Sequence, residues 1–133
     1  MGVYLNPGND KFYKAINSEI YVDKTGLIQY TNRVFNTMQQ NVCVSRPRRF
    51  GKSMTANMLA AYYSRGCQSE KLFEEFKITK DPSFRQHLNR YNVFFMNMQE
   101  FLSRSKTVEK MIFSNQSASD AGSETGIPGY CVF

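Results

Sequence analysis

Between Asn41 and Leu59 the chain reads NVCVSRPRRFGKSMTANML: a short apolar run, a basic loop, then Gly51-Lys52-Ser53 opening a helix-patterned stretch. This order constrains the fold more than any other feature. A strand that feeds a loop and then a helix aims backbone amides and one lysine at a common point, as a phosphate-binding loop does. Val42, Cys43 and Val44 favour β structure and predict a buried parallel strand, with Cys43 packed in it as a small apolar residue. Arg46 precedes Pro47 and is biased toward extended backbone, which carries the strand into the loop. From Lys52 onward Met54, Met58, Leu59, Ala61 and Tyr62 recur at spacings of three and four, and Gly66 stands where such a helix would end.

The match to the phosphate-loop pattern is incomplete, because that pattern asks for glycine at position 46 and this chain has Arg46. Pro47 has no amide hydrogen, so one phosphate donor is missing, and the Cβ of Arg46 resists a turn that needs positive φ. The amides of Arg49, Phe50, Gly51, Lys52 and Ser53 remain, with the positive end of a helix dipole. Arg46, Arg48 and Arg49 add cations whose guanidinium groups can grip phosphate oxygens with two bonds at once. The natural reading is a modified phosphate site built from Arg46, Arg48, Arg49, Phe50, Gly51, Lys52 and Ser53. In it Lys52 neutralises the β- and γ-phosphates of a nucleotide, and Ser53 offers its hydroxyl to Mg²⁺ through that nucleotide. Two other readings stay open: a solvated basic loop capping an ordinary amphipathic helix, and a dibasic processing or localisation motif.

The chain has 133 residues, about one small domain, and 11 Phe with 8 Tyr can supply its core. Its +6 charge is unevenly placed: all 17 Lys and Arg lie before position 111, whereas the last 23 residues carry only Asp120 and Glu124. A basic body suits an anionic partner, either nucleotide or nucleic acid, although scattered surface charge gives the same balance. Cys43, Cys67 and Cys131 have neither metal-ligand nor disulfide spacing and fit a reducing cytoplasm. Met1 to Lys11 lacks the apolar segment of a signal peptide, and no apolar run reaches membrane-spanning length.

Along the rest of the chain, Ile20-Tyr21-Val22 predicts a short strand, and Asp23 or Thr25 a cap for a helix running to about Asn36. Ser69 caps a segment through Phe76, Asp81-Pro82 starts a helix to about Arg90, and Val93 to Asn97 forms a compact strand. His87 has no ligand-spaced partner and reads as a surface or half-buried histidine. Thr107 to Phe113 suggests one more helix, and SNQSASDAGSETG from Ser114 suggests a flexible segment before a turn at Ile127 to Tyr130. Alternating strands and helices predict an α/β fold of P-loop NTPase type, a partial parallel sheet flanked by helices with a flexible C-terminal tail. The expected division is 1–110 for the domain and 111–133 for a flexible or aberrant tail.

Residues Arg46 to Ser53, RPRRFGKS, together with Tyr21-Val22-Asp23-Lys24-Thr25, resemble the AAA-ATPase-like family of bacterial and archaeal proteins. In that family arginine commonly takes the place of the first loop glycine, and a YVDKT element precedes the loop. Leu72-Phe73 and Val93 to Asn97 fall where the family has its LF and second-strand segments, so the resemblance spans roughly residues 10 to 102. It implies Mg-ATP as ligand, with Asp23 or Lys24 near the nucleotide. A strand end followed by a helix cap explains Tyr21 to Thr25 equally well without a ligand. The family's acidic strand, which would hold Mg²⁺ or polarise water, lies further along than this chain extends. Glu100 is the nearest acid after the strand and has no special context, so no catalytic residue is assigned and hydrolysis is doubtful. The resemblance also implies an N-terminal fragment of a longer protein, whose relatives often append a PD-(D/E)XK nuclease-like domain and thereby a link to nucleic acid. A non-enzymatic basic module that binds nucleic acid is the alternative function.

Overall fold

The computed structural model describes residues 5–97, 99 and 130–132. They divide into a main unit, Met1–Phe95 with Tyr130–Phe133, and a second unit, Met96–Gly129, of which only positions 96, 97 and 99 are described. The main unit runs α1 (Asp10–Ile16), α2 (Gly26–Val34), α3 (Lys52–Tyr63), α4 (Glu70–Phe73), a 3-10 turn (Lys77–Lys80), α5 (Phe84–His87), β1 (Asn92–Phe94) and β2 (Tyr130–Val132).

α3 organises the core. Its last six residues, Met58 to Tyr63, are all buried, whereas Lys52, Ser53 and Met54 at its head are exposed. One helix therefore runs from solvent into the core of the main unit, and its head is anchored by a buried tail. Tyr62 lies against Phe73 and Phe84 with ring centroids 5.7 Å apart in both pairs, and Phe12 of α1 stacks on Phe73 at 4.8 Å. The tyrosine hydroxyls keep partners inside. Asn32 Nδ2 donates to the Tyr62 hydroxyl at 2.9 Å, Tyr62 donates to Phe84 O at 2.7 Å, and Tyr63 donates to Asn32 Oδ1 at 2.6 Å. Burial pushes the Tyr62 hydroxyl up to about 12, so it remains a donor at ordinary pH.

The C-terminus of α3 is closed by Asn89, which adopts the left-handed conformation at φ 53°. Its Nδ2 donates to the carbonyls of Ala61, Tyr62 and Ser64 at 3.0, 3.3 and 2.9 Å, and its backbone amide donates to Tyr62 O at 2.7 Å. A remote asparagine thus satisfies carbonyls that a helix end leaves without partners. β1 follows directly, with Tyr91 N donating to Tyr63 O at 2.9 Å and Val93 fully buried. It pairs in parallel with β2, in the register Asn92 to Tyr130, Val93 to Cys131 and Phe94 to Val132.

Several sequence expectations change. The strand at Val42–Val44 does not form; positions 41–47 have no regular structure, and Cys43 is exposed rather than packed in a core. Ile20-Tyr21-Val22 is likewise not a strand. β propensity cannot hold a strand without a hydrogen-bonded neighbour, and among the described residues neither segment pairs in a sheet. The helix expected from Pro82 to Arg90 is reduced to α5, and Asp81 instead takes the amide and hydroxyl of Ser83 at 2.8 and 2.5 Å. The strand expected over Val93–Asn97 is the shorter β1. Tyr130–Val132, placed by sequence in a tail, is a strand of the main unit. The helix expected at Thr107–Phe113 and the rest of that tail lie outside the described residues.

Candidate nucleotide site

α3 begins at Lys52 with Gly51 as its N-cap in the left-handed conformation, φ 79°. No side chain caps it. Its first backbone bond runs from Thr55 N to Gly51 O at 2.9 Å, reinforced by the Thr55 hydroxyl on the same carbonyl at 3.0 Å. The amides of Lys52, Ser53 and Met54 therefore head the helix with no intrahelical acceptor, where the helix dipole adds positive potential. Arg49, two positions earlier, is also left-handed at φ 66°, so the chain reverses twice within three residues as it enters the helix. Alternation of this kind turns successive amides toward one concave side.

Two lysines brace this turn. Lys52 Nζ folds back onto the carbonyl of Arg46 and reaches Pro47 O at 3.5 Å. Lys24, between helices α1 and α2, donates to Phe50 O at 2.9 Å. The fit is close: a Cβ added at Gly51 would stand 2.6 Å from Lys24 Nζ. The YVDKT element thus meets the loop through its lysine. Its aspartate is committed elsewhere: Asp23 Oδ1 accepts from Thr25 N and Oγ1 at 2.8 and 2.7 Å, and Oδ2 from Lys77 N at 3.2 Å. Partial burial pushes the Asp23 carboxyl up, but the bonds from Thr25 and Lys77 outweigh it and hold it below the usual carboxylate range. Asp23 fixes the segment, and Lys24 is what the segment delivers.

All seven residues singled out in sequence lie on this loop and helix head, and they are not equally gathered. Arg46, Phe50 and Lys52 line one cavity of about 300 Å³ together with Lys24, Leu27, Val44 and Thr55. Arg49, Phe50 and Gly51 border a second, of about 260 Å³, on the side of Ile20 and Val22. Arg48 and Ser53 are exposed and line neither. Among the described residues no ion pair engages Lys24, Arg46, Arg48, Arg49 or Lys52; the ion pair found there joins Arg85 to Glu70 at 3.3 Å. Five cations without a carboxylate partner, set around free amides, have the donor chemistry to hold a phosphate chain. The same residues fit Mg²⁺ only as a companion of phosphate. Ser53 offers a hydroxyl at the helix head, and no cluster of metal-ligating side chains occurs among the described residues.

Sequence reasoning missed the bond from Lys24 to the loop and the apolar wall made by Ile20, Val22 and Met54. The available signal was the alternation Ile20-Tyr21-Val22, which places Tyr21 inward on Phe12 and Phe76 and leaves Ile20 and Val22 outward. Among the described residues no helix is long and apolar enough to cross a membrane. No curated protein and no solved structure matches the chain. A family model does match, over residues 8–122, a span that contains the loop, the YVDKT element and the core helix and extends beyond the end of the motifs read from sequence. Its description is "Predicted AAA-ATPase", and the chain belongs to that family.

Proposed function

We propose that the chain binds a nucleoside triphosphate, Mg-ATP, at the turn from Arg46 to Ser53, as part of an AAA-ATPase-like protein with the α/β architecture of P-loop NTPases. The observation that carries this reading is the head of α3: uncapped amides, a left-handed Gly51, and Lys52 folded onto the loop carbonyls. With nucleotide bound, Lys52 would leave those carbonyls for the β- and γ-phosphates, the amides from Arg49 to Ser53 would donate to the remaining phosphate oxygens, and the Ser53 hydroxyl would be a ligand for Mg²⁺. Arg46, Arg48 and Arg49 supply flanking charge. The function proposed is binding alone: among the described residues no acidic residue is placed to hold the metal or polarise water, and Glu100 lies outside them.

The same unpaired cations also suit the backbone of a nucleic acid, and the two readings separate by titration. Calorimetric binding of Mg-ATP to the parent, Lys52→Ala and Arg48→Ala should show binding lost in the first variant and weakened in the second. Equal tolerance of both changes, with nucleic-acid binding that falls steeply with salt, contradicts the nucleotide reading and favours the basic module.

A further inference from the structure

Of the five cations around the loop, Lys24 alone is carried by neither the loop nor α3. Its backbone stands between Asp23, whose carboxylate takes three hydrogen bonds, and Thr25, which is fully buried. From that fixed base its ammonium crosses to Phe50 O at 2.9 Å. It lies tight against the next residue as well, since a Cβ at Gly51 would meet it at 2.6 Å. The bond acts on a peptide plane. In a trans peptide the carbonyl and the following N–H point in opposite directions, so drawing Phe50 O toward Lys24 turns the Gly51 N–H the other way. That N–H has no hydrogen-bond acceptor among the described residues and is free to donate to a ligand.

Nothing in Gly51 itself holds the plane in this sense. Rotating it by half a turn would carry φ of Gly51 from 79° to about −100°, and glycine adopts negative φ as readily as positive. For an anion the two states differ in sign. A concave run of N–H groups attracts it, whereas a carbonyl oxygen in place of one of them repels it. We infer that Lys24 is a positioning residue of the phosphate site: it locks the Phe50–Gly51 peptide with the N–H toward the ligand, and it stays on Phe50 O when phosphate is bound. This rests on the nucleotide reading above and separates the two lysines by role. Lys52 rests on carbonyls of its own loop and exchanges them for phosphate. Lys24 reaches in from outside the loop and keeps one amide of the cradle aimed, while its charge offsets the negative end of a carbonyl beside the bound phosphates.

The test is calorimetric binding of Mg-ATP to the whole chain and to Lys24→Met, with the Gly51 amide followed by ¹H–¹⁵N NMR in both at saturating nucleotide. Lys24→Gln is carried through the same measurements, and a thermal melt identifies which variants keep the parent's fold. The bond lost is exposed, so both should keep it. Mg-ATP should bind about tenfold more weakly to the variants, the worth of one hydrogen bond to a charged group. The Gly51 amide should move downfield on binding in the parent and stay in place in the variants. An unchanged affinity in the variants overturns the inference, as does a Gly51 amide that Mg-ATP leaves unmoved in the parent. A weakened affinity with the Gly51 amide still moving as in the parent also overturns it, and makes Lys24 a phosphate ligand in its own right. Each of these leaves nucleotide binding at the loop standing. A parent that does not bind Mg-ATP overturns that reading and this inference together.

Discussion

Replacing Gly51 by alanine tests the geometry of the loop without touching a charge. Two costs can be worked out. Gly51 is left-handed at φ 79°, where an L side chain costs about 1–2 kcal/mol. The new methyl would also stand 2.6 Å from Lys24 Nζ, closer than any real contact. That atom is the end of a flexible chain and can move, so the second cost is the bond to Phe50 O, worth about 0.5 kcal/mol at this exposed site. Gly51→Ala should therefore destabilise by about 1–2 kcal/mol, which lowers the melting temperature by roughly 5–15 °C for a unit of this size. In a Lys24→Ala background the φ cost remains and the displacement cost vanishes, so the two changes together should be milder than their sum. Gly26→Ala is the control: nothing lies within 4 Å of its added Cβ and it opens α2, so it should be neutral or stabilising by up to about 1 kcal/mol. Melting followed by far-ultraviolet circular dichroism reads all four variants. If Gly51→Ala melts with Gly26→Ala, the left-handed turn described here is wrong.

Other consequences follow from particular contacts. Asn89→Ala removes the side-chain bonds to the carbonyls of Ala61, Tyr62 and Ser64 and to the amide of Ser69, while Tyr62 O keeps the backbone amide of residue 89, and should cost about 2–3 kcal/mol in denaturant unfolding. Asp23→Asn should remove an acid-sensitive contribution. The folded carboxyl lies below its unfolded value, so its stabilisation is complete above about pH 4 and disappears as pH falls through the folded value; the variant should be less stable at pH 7 and flatter below pH 4. Lys52→Ala should abolish Mg-ATP binding yet shift the unliganded melt by less than about 0.5 kcal/mol, because its contacts to Arg46 and Pro47 carbonyls are exposed.

The loop and its helix were legible because their signals are local. Gly51 before Lys52 supplies the left-handed cap, and the spacing of Met58, Leu59, Ala61 and Tyr62 marks the face that the core then takes. The core side of α3 proved wider than one stripe: Ala60 and Tyr63 are buried too, and a helix buried all round carries little periodicity to read. Strands were harder, because a strand exists only through its neighbour. Val42–Val44 has the propensity and no partner among the described residues, whereas β1 owes its place to Tyr63, Asn6 and β2. The clamp by Asn89 on the end of α3, 28 residues back at Ala61, and the reach of Lys24 to Phe50, are long-range bonds of single side chains. Composition and spacing say nothing about either. The family motif carried information that pattern alone did not: it put either Asp23 or Lys24 near the nucleotide without a role for either, and of the two it is Lys24 that reaches the loop.

The most direct measurement is a thermal melt of the whole chain with and without Mg-ATP, run beside Lys52→Ala. Nucleotide binding at this loop predicts a cooperative transition that saturating Mg-ATP raises in the parent, by about 2.7 kcal/mol at a hundredfold excess over Kd, and leaves unmoved in the variant. A parent melt indifferent to Mg-ATP, or a rise shared equally by Lys52→Ala, contradicts nucleotide binding at this loop.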